Sequence, residues 1–531
     1  MLLLQTTKLE KQFGARVILD NEPLFIYKDQ RIGLVGKNGA GKTTLLHVLA
    51  GYGVADFGQV TRYEKMAYIP QLHELSAPLS AREAKQWQVP AHVHKSGGEQ
   101  TRAKIAQALE ANAALILADE PTSHLDMEGM KQLEQVFTSF SGGILLTSHD
   151  KTFLNNVCTS IWEIEDGKVK AYEGNYDAYL VQKQKEMDKA HKAYQSYQLE
   201  KDRLLQAAKQ AQRRSDQIKK APSRMGNSEA RLHKRSSGVQ KAKINRAAEA
   251  MVTRANQLEK KEKPKEETKI QFDLSRFPVV HSKQMIQFEA FQVWIEGRLL
   301  KEVNGVVPAG SRVAIIGKNG SGKSTLLQQI ESRQMTIAKP AKIGYFSQHQ
   351  HDILDEETIL ENVGKNSPYS ETFIRTVLSR LAFQREDVFK KGIDLSGGER
   401  VRTALAKVFL SNVNLWLLDE PTNYLDLTTK DSLKEVMNKF PGTILFVTHD
   451  RTLISDVATH QLSFDDECAQ IKAVNQVEEE LKKPDESLLT IEFKLSELLS
   501  RLSTVTDETE RNKLDQQFQE LLKTKRTLKN Q

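Results

Sequence analysis

The stretch GLVGKNGAGKTTLL at residues 33–46 occurs a second time, almost unchanged, as AIIGKNGSGKSTLL at residues 314–327. Both copies contain the pattern GxxxxGK[ST] after a short apolar run, which is typical of a strand-to-helix turn. Its glycines allow backbone N–H groups to surround phosphates, its lysine reaches the β- and γ-phosphates, and its Ser or Thr hydroxyl binds Mg²⁺. The repeat therefore predicts two phosphate-binding loops in one α/β chain.

Three further motifs are repeated in the same order. The two copies lie 281 residues apart at the phosphate loop and 300 apart at the other motifs, so the first copy is 19 residues shorter between its first two motifs. Repetition of four motifs indicates that one domain was used twice. The further pairs are SGGEQTRAKIAQAL (96–109) with SGGERVRTALAKVF (396–409), LADEPTSHLD (117–126) with LLDEPTNYLD (417–426), and ILLTSHD (144–150) with ILFVTHD (444–450).

The acidic motifs predict ATP hydrolysis. The apolar runs ALILAD and LWLLD have the pattern of buried strands that end in an acid, which would hold Mg²⁺ through water. The next residue would orient and deprotonate the attacking water. A histidine after a later apolar strand would contact the γ-phosphate. The residues in these three roles are Asp119 and Asp419, Glu120 and Glu420, and His149 and His449.

Other residues are expected to complete the nucleotide sites. Gln71 and Gln348 end strand-like runs and would contact the metal and the attacking water. SGGE opens an amphipathic helix whose N–H groups form an anion site, suited to capping a nucleotide held by the other copy. Phe13 and Trp294 are candidates to stack on the two adenines, with simple packing as the alternative.

The complete prediction covers both copies. The ATP-binding residues are Gly36, Asn38, Gly39, Gly41, Lys42, Thr43, Thr44, Gln71, Ser96, Gly98 and Phe13, together with Gly317, Asn319, Gly320, Gly322, Lys323, Ser324, Thr325, Gln348, Ser396, Gly398 and Trp294. The metal ligands among the site residues are Thr43, Asp119 and Gln71 in the first copy, and Ser324, Asp419 and Gln348 in the second.

Composition excludes several classes of protein. The 531 residues contain no apolar run of about 18, so we expect no membrane span. The N-terminus lacks the basic start and apolar run of a signal peptide. Cys158 and Cys468 are too few for a disulfide framework or a zinc site, which fits a reducing cytoplasm.

Between the two copies, residues 181–281 are predicted to form a helical linker with a basic tip at about 213–240. Residues 181–212 are rich in Gln, Lys, Glu and Ala and contain no Gly or Pro, which favours a helix of roughly 48 Å. Helical composition returns over about 240–263. The expected breaks are Pro222 with Gly226, then Gly238, and finally Pro264.

The linker is strongly basic. Between Lys201 and Arg246 there are 14 Lys or Arg and three acids, a net charge of +11 against +7 for the whole chain. A one-signed charge on a rigid projection favours phosphate contact, although a solvated linker is the alternative. Structured RNA is favoured over DNA, because no DNA-reading motif is present. The candidate contact residues are Arg224, Met225, Arg231, Leu232, His233, Lys234 and Arg235.

These motifs resemble the ATP-binding-cassette family. DEPTSHLD and DEPTNYLD in one chain, with the segment 161–186 leading into the linker, look like the ABC-F subfamily, and most like its Vga/Vml-type antibiotic-resistance ribosome protection proteins. The resemblance implies two tandem α/β ATPase domains, residues 1–180 and 282–475, that bind ATP and Mg²⁺. Residues 476–531 would add helices that dock on the body or the small ribosomal subunit, or pack on themselves.

The family also implies how the domains act. The two cassettes of a monomer would close head to tail, with Ser396 and Gly398 completing the first ATP site and Ser96 and Gly98 the second. The linker would enter the exit site of the bacterial 70S ribosome and reach large-subunit rRNA, P-site tRNA and the peptidyl-transferase centre. The 19-residue deficit falls where many ABC-F proteins insert an arm that reaches the L1 stalk, so the resemblance does not extend to that contact.

The leading functional hypothesis is relief of inhibition by pleuromutilin, lincosamide and streptogramin A antibiotics. A housekeeping ABC-F translation factor has the same motor motifs and is the main alternative. The ATPase part of an exporter would need a membrane partner, and a DNA-repair ATPase would carry its insertion within a cassette rather than between two.

Overall fold

The computed structural model describes residues 1–14, 16–70, 87, 97–123, 125–217, 227–261, 282–295, 298–347, 353–423, 425–465, 469–474 and 518–519, with the backbone alone described for residues 227–238. These residues form two compact units. The first comprises Met1–Ser123 and Met130–Lys269, and the second comprises His124–Gly129 and Ile270–Gln531.

The N-terminal half of the chain alternates strands with helices. Its strands are β1 (Leu2–Thr6), β2 (Leu9–Phe13), β3 (Arg16–Asn21), β4 (Phe25–Tyr27), β5 (Arg31–Val35), β6 (Val60–Arg62), β7 (Met66–Ile69), β8 (Leu115–Ala118), β9 (Gly143–Thr147), β10 (Ser160–Glu165) and β11 (Lys168–Glu173). Its helices are α1 (Lys42–Ala50), α2 (Gly97–Glu110), α3 (Met127–Ser139), α4 (Lys151–Val157), α5 (Tyr176–Asp216) and α6 (Asn227–Gln257).

The main sheet of the first unit has the strand order β11–β10–β5–β9–β8–β7, with β10, β5, β9, β8 and β7 parallel and β11 antiparallel at the edge. Strands β8 and β9 are buried along their whole length, as their continuous apolar runs predict. Because the inner strands are parallel, the residues that follow β5, β8 and β9 meet at one edge of the sheet.

The second unit repeats this plan. Its strands are β12 (Gln284–Ile295), β13 (Arg298–Pro308), β14 (Arg312–Ile316), β15 (Thr336–Ile337), β16 (Ile343–Phe346), β17 (Leu415–Asp419), β18 (Thr443–Val447), β19 (His460–Ser463) and β20 (Ala469–Ala473). Its helices are α7 (Lys323–Glu331), α8 (Ile359–Gly364), α9 (Glu371–Arg380), α10 (Gly397–Phe409), α11 (Leu427–Lys439) and α12 (Arg451–Val457), with 3-10 turns at Asp387–Phe389 and Gly392–Asp394.

The order β20–β19–β14–β18–β17–β16 within the second sheet matches β11–β10–β5–β9–β8–β7 of the first. The predicted duplication and the α/β fold are therefore confirmed. In the second unit, helices α8 and α9 pack on α10 through a core that includes Ile359, Val377 and Leu378. The shorter counterpart in the first copy, residues 72–95, lies outside the described residues except for Trp87.

The linker helices α5 and α6 pack against each other, with Ala208, Ser215, Ala248 and Ala255 buried. Small residues at these positions allow two helices to approach closely. Helix α5 has 41 residues, which corresponds to about 62 Å. Among the described residues, no helix combines the length and the apolar character needed to cross a membrane.

The predicted helix boundaries need correction. Helix α5 begins at Tyr176 rather than at residue 181, because the Asn175 side chain accepts a hydrogen bond from the backbone N–H of Ala178 and caps it. Helix α6 begins at Asn227 and contains Gly238, so the predicted second break is wrong. One glycine costs a helix interior only about 1 kcal/mol, which the many Ala, Arg, Lys and Gln residues elsewhere in α6 offset. Helix α6 ends at Gln257, before the predicted residue 263.

Glu163 on β10 joins the base of α5 to the first unit. Its carboxylate accepts hydrogen bonds from the hydroxyls of Tyr179 at 2.9 Å and Tyr172 at 3.3 Å, and it forms an ion pair with Lys183. The Glu163 side chain is only 12% exposed, so these partners compensate the loss of water around its charge. We call Glu163, Tyr172, Tyr179 and Lys183 the α5 joint.

Replacing Glu163 with Gln should destabilise this joint by about 1–3 kcal/mol, because hydrogen bonds to a charged acceptor become bonds to a neutral one. Chemical denaturation of the full chain would measure the loss, and hydrogen exchange at the start of α5 would localise it. Glu165→Gln is the matched control, since Glu165 lies on the same strand at 3.5 Å from Lys183 but is 64% exposed. Equal losses of stability in the two variants would contradict the assignment of Glu163 as the residue that joins α5 to the first unit.

Candidate functional site

Each phosphate loop connects a central strand to a helix, as the sequence predicts. Gly41 has φ +103° and Gly322 has φ +101°, a conformation that favours glycine. A Cβ at Gly41 would lie 2.8 Å from Ile18 Cγ2, and one at Gly322 would lie 2.8 Å from Leu300 Cδ1. Each loop therefore packs against its own β-hairpin, and a side chain at either glycine would displace it.

The loop lysine is held by the backbone of its own loop in both copies. Lys42 Nζ donates to the carbonyl oxygens of Gly36 at 2.7 Å and Lys37 at 3.1 Å. Lys323 Nζ contacts Gly317 and Lys318 in the same way, both at 2.7 Å. The ammonium groups thus lie at the amino ends of α1 and α7, where helix N–H groups also favour anions. This arrangement fits a polyphosphate.

The acid that follows each buried strand is positioned to bind a hard cation. Asp419 Oδ1 accepts a hydrogen bond from the Ser324 hydroxyl at 3.1 Å. Asp119 Oδ1 accepts one from Thr147 at 2.8 Å, and its Oδ2 is buried without a hydrogen-bond partner among the described residues. Carboxylate and hydroxyl oxygens are ligands that Mg²⁺ accepts, together with phosphates and waters. The residues therefore fit Mg²⁺, which Asp119 and Asp419 would hold with Thr43 and Ser324.

The glutamate after each of these acids contacts the predicted histidine. His149 Nε2 lies 3.3 Å from Glu120 Oε1, and the backbone N–H of His149 donates to Glu120 Oε2 at 3.3 Å. His449 Nε2 lies 3.5 Å from Glu420 Oε1. The structure thus brings together the two residues that the sequence assigns to water activation and γ-phosphate contact.

Both glutamates adopt a backbone conformation that is unusual for a side chain with a Cβ. Glu120 has φ +51° and Glu420 has φ +50°. Such a conformation persists where surrounding contacts hold it, and it clusters at functional sites. The Glu120 carbonyl accepts from the Ser123 N–H at 3.1 Å, and the Glu420 carbonyl accepts from the Asn423 N–H at 3.2 Å. These bonds close a turn that holds the backbone of each glutamate in this conformation.

Burial sets the proton affinities in the second copy. Burial, reinforced by the charge of Asp419, raises the pKa of Glu420 to about 8. Burial, together with Lys323, lowers the pKa of His449 to about 4. Near neutral pH the 3.5 Å contact between Glu420 and His449 is therefore one between neutral groups rather than an ion pair. A carboxyl group whose pKa lies near the working pH can exchange a proton with water.

The SGGE motif of the second copy begins helix α10, as predicted. The Ser396 hydroxyl accepts from the Glu399 N–H at 3.4 Å, while the Ser396 N–H donates to Glu399 Oε2 at 2.9 Å. This capping box fixes the start of the helix. Although burial opposes it, hydrogen bonds from Ser396 and Lys390 hold the pKa of Glu399 down to about 2. A Cβ at Gly397 would meet nothing within 4 Å, so the amino end of α10 has space around it.

The two candidate adenine-stacking residues lie on hairpins next to the phosphate loops. Phe13 is 59% exposed and pairs across the β2–β3 hairpin with Arg16, whose guanidinium lies 3.5 Å from the Gly39 carbonyl. Trp294 is 45% exposed on β12, next to Val293, which packs against the second loop. Both rings have the exposure that stacking on a base requires.

Several predicted residues lie outside the described residues and stay predictions. These are Gln71, Ser96, Arg224, Met225 and Gln348. Arg231, Leu232, His233, Lys234 and Arg235 lie on helix α6, where the backbone alone is described. Gly98 lies within α2 and is buried, and Gly398 lies in the first turn of α10.

Reasoning from the sequence missed Thr147, which contacts both acids of the first copy. Its hydroxyl donates to Asp119 and accepts a hydrogen bond from the Glu120 N–H at 2.8 Å. A signal was present, because ILLT ends in a polar residue where the second copy, ILFV, ends in Val447.

Comparisons with known proteins agree with this site. The family model described as ABC transporter matches residues 19–95 and 300–423, and its extension model matches residues 162–231. The ribosome protection protein VmlR of Bacillus subtilis is 31% identical over 93% of this chain and 92% of its own length. The energy-dependent translational throttle protein EttA of Mycobacterium tuberculosis is 29% identical over 86% of this chain and 90% of its own.

Among solved structures, the archaeal ribosome recycling factor aABCE1 matches with a TM-score of 0.61 and 18% identity, covering 88% of this chain and 90% of that chain. This likeness supports the fold of two ATPase domains. With two duplicated nucleotide sites, the ABC family models and relatives that align over almost the whole chain, the protein is an ATPase that belongs to the ABC-F subfamily of ATP-binding-cassette proteins.

Proposed function

We propose that this ATPase binds the bacterial ribosome in its exit-site region and inserts the α5–α6 hairpin toward the peptidyl-transferase centre, relieving inhibition by pleuromutilin, lincosamide and streptogramin A antibiotics. The observation that carries the proposal is the basic helical hairpin between two ATPase domains. Helix α5 spans about 62 Å, and residues 201–246 carry a net charge of +11. The similarity to VmlR, named a ribosome protection protein, supports this choice.

In the proposed cycle, ATP binding closes the two cassettes and hydrolysis opens them. Lys42 and Lys323 would bind the phosphates, and Glu120 and Glu420 would take the proton of the attacking water. Bound Mg²⁺ would supply positive charge to the β- and γ-phosphates. Ser396 and Ser96, with the glycines after them, would complete the site of the opposite cassette.

The hairpin would act by contact with RNA. Its lysines and arginines would neutralise phosphates of large-subunit rRNA and P-site tRNA, a source of affinity that does not depend on base sequence. The residues at about 213–240 would come nearest to the drug-binding region.

A housekeeping role in translation is the second candidate. EttA, which is named a translational throttle, is 29% identical over 86% of this chain, so the subfamily includes this function too. One measurement distinguishes the two functions, the drug concentration that inhibits a susceptible bacterium expressing this chain. Only ribosome protection should raise it. Sedimentation with ribosomes rather than membranes would separate both from an exporter subunit.

The double variant Glu120→Gln with Glu420→Gln should bind ATP and close but hydrolyse it about 10²- to 10⁴-fold more slowly, since it lacks the general base. In ATP it should therefore stay bound to ribosomes, as sedimentation would show. Lys42→Met with Lys323→Met is the control, because loss of phosphate binding should prevent both hydrolysis and trapping. Unchanged turnover, or rapid dissociation of the glutamine variant, would show that these glutamates do not have the proposed role.

Replacing residues 225–237 with a short Gly/Ser loop should abolish drug protection and leave both cassettes folded and able to bind ATP. The shortened hairpin would no longer reach the drug-binding region, and the segment is polar in sequence, so its loss should remove no cassette core. Growth across a drug series, with protein levels matched, tests this. Full resistance with the shortened hairpin would mean that the segment is only a linker.

Reversing the charges of Arg231, Lys234 and Arg235 should weaken ribosome binding more at low salt than at high salt, because salt screens phosphate contacts. Ribosome affinity measured across a salt series would show this as a shallower dependence. Matched reversal of three exposed lysines near the base of α5, Lys185, Lys189 and Lys192, should have a smaller effect. Equal effects of both triple variants would indicate that the tip has no special contact.

A further inference from the structure

Thr147 is a polar residue at the end of a buried apolar strand. Strand β9 reads GILLT and is buried throughout, and Thr147 itself is 0% exposed. In the second copy, the corresponding strand β18 reads TILFV and ends in Val447. The two positions are equivalent, because β8 pairs with β9 as β17 pairs with β18.

The Thr147 hydroxyl connects the two acids of the first copy. It donates to Asp119 Oδ1 at 2.8 Å and accepts from the Glu120 N–H at 2.8 Å. A hydroxyl has one proton to donate and lone pairs to accept, so both bonds form together. With Oδ1 occupied, Asp119 presents a buried Oδ2 that has no hydrogen-bond partner among the described residues.

In the second copy, the corresponding glutamate N–H and aspartate carboxylate have different hydrogen-bond partners. The Glu420 N–H donates to the backbone carbonyl of Val447 at 3.0 Å, because valine offers no hydroxyl. Asp419 Oδ1 accepts instead from Ser324, a residue of the phosphate loop itself. A residue of the sheet thus contacts the carboxylate of the first copy, whereas a residue of the phosphate loop contacts that of the second.

We propose that Thr147 is a positioning residue that orients Asp119 toward the metal of the first ATP site. The second site lacks this contact, because Val447 has no hydroxyl to donate to Asp419. The inference concerns ATP hydrolysis itself and rests on the assignment of Asp119 to Mg²⁺. A group that orients a metal-binding carboxylate contributes to metal affinity without touching the metal. The two ATP sites of the chain are therefore not chemically equivalent.

Mg²⁺ dependence of nucleotide binding tests the proposal at each site separately. In the full chain carrying Lys323→Met, nucleotide binding is confined to the first site and is followed with a fluorescent ATP analogue at increasing Mg²⁺. Thr147→Val should raise the half-saturating Mg²⁺ concentration by roughly 10-fold, the lower end for loss of such a contact. Binding of the analogue in EDTA should not change, because the phosphate loop is intact.

Thr147→Ser supplies the rescue, since serine keeps the hydroxyl and should restore the original Mg²⁺ dependence. Thr147→Val should fold, because Val447 occupies the same place in the second sheet and lets a backbone carbonyl accept the glutamate N–H. In the reciprocal experiment, Val447→Thr in a Lys42→Met chain should lower the Mg²⁺ concentration required at the second site.

Asp119→Asn tests the assignment of Asp119 to Mg²⁺ separately from the role of Thr147. If Asp119→Asn leaves the Mg²⁺ dependence unchanged, the assignment of Asp119 is wrong and the role of Thr147 is lost with it. If Asp119→Asn weakens Mg²⁺ binding but Thr147→Val does not, the assignment stands and the inference about Thr147 is overturned. Weaker binding of Thr147→Val in EDTA, or failure of Thr147→Ser to restore Mg²⁺ dependence, would also overturn it.

Discussion

Parallel pairing of β5 with β9, and of β9 with β8, brings the chemistry of the first ATPase domain to one place. These strands are buried, so their backbone groups must pair with one another and their register is fixed. The phosphate loop follows β5, Asp119 and Glu120 follow β8, and His149 follows β9. Separations among these groups are therefore set by the sheet, and only short turns remain to direct each side chain.

Duplication preserved this sheet while the surrounding contacts diverged. Six strands keep the same order in both units, and the glutamates have nearly the same positive φ. The acceptor of the glutamate N–H differs between the units. It is the side-chain hydroxyl of Thr147 in the first and the backbone carbonyl of Val447 in the second. A buried polar group must find some partner, and the two copies show two ways of meeting that requirement.

Motifs whose function depends on the local backbone could be predicted from the sequence. The phosphate loops, the acids after buried strands and the capped start of α10 all follow from residue type and spacing. Helix boundaries in the linker were harder to predict, because Gly238 has a low helix propensity but the rest of α6 is rich in Ala, Arg, Lys and Gln, which favour a helix. The role of Thr147 depends on which strand lies beside β9, and this is a property of the sheet rather than of the local sequence.

The α5 joint has a mechanical consequence. Glu163 pairs in register with Val35 at the end of β5, and a Cβ at Gly36 would lie 2.6 Å from the carbonyl oxygen of the next residue, Ile164. The first residue of the phosphate loop and the base of α5 thus share one strand, β10. A rotation of about 5° at that base would move the far end of a rigid helix of this length by roughly 5 Å. A small rotation of β10 would in this way become a displacement larger than the spacing between stacked nucleic-acid bases.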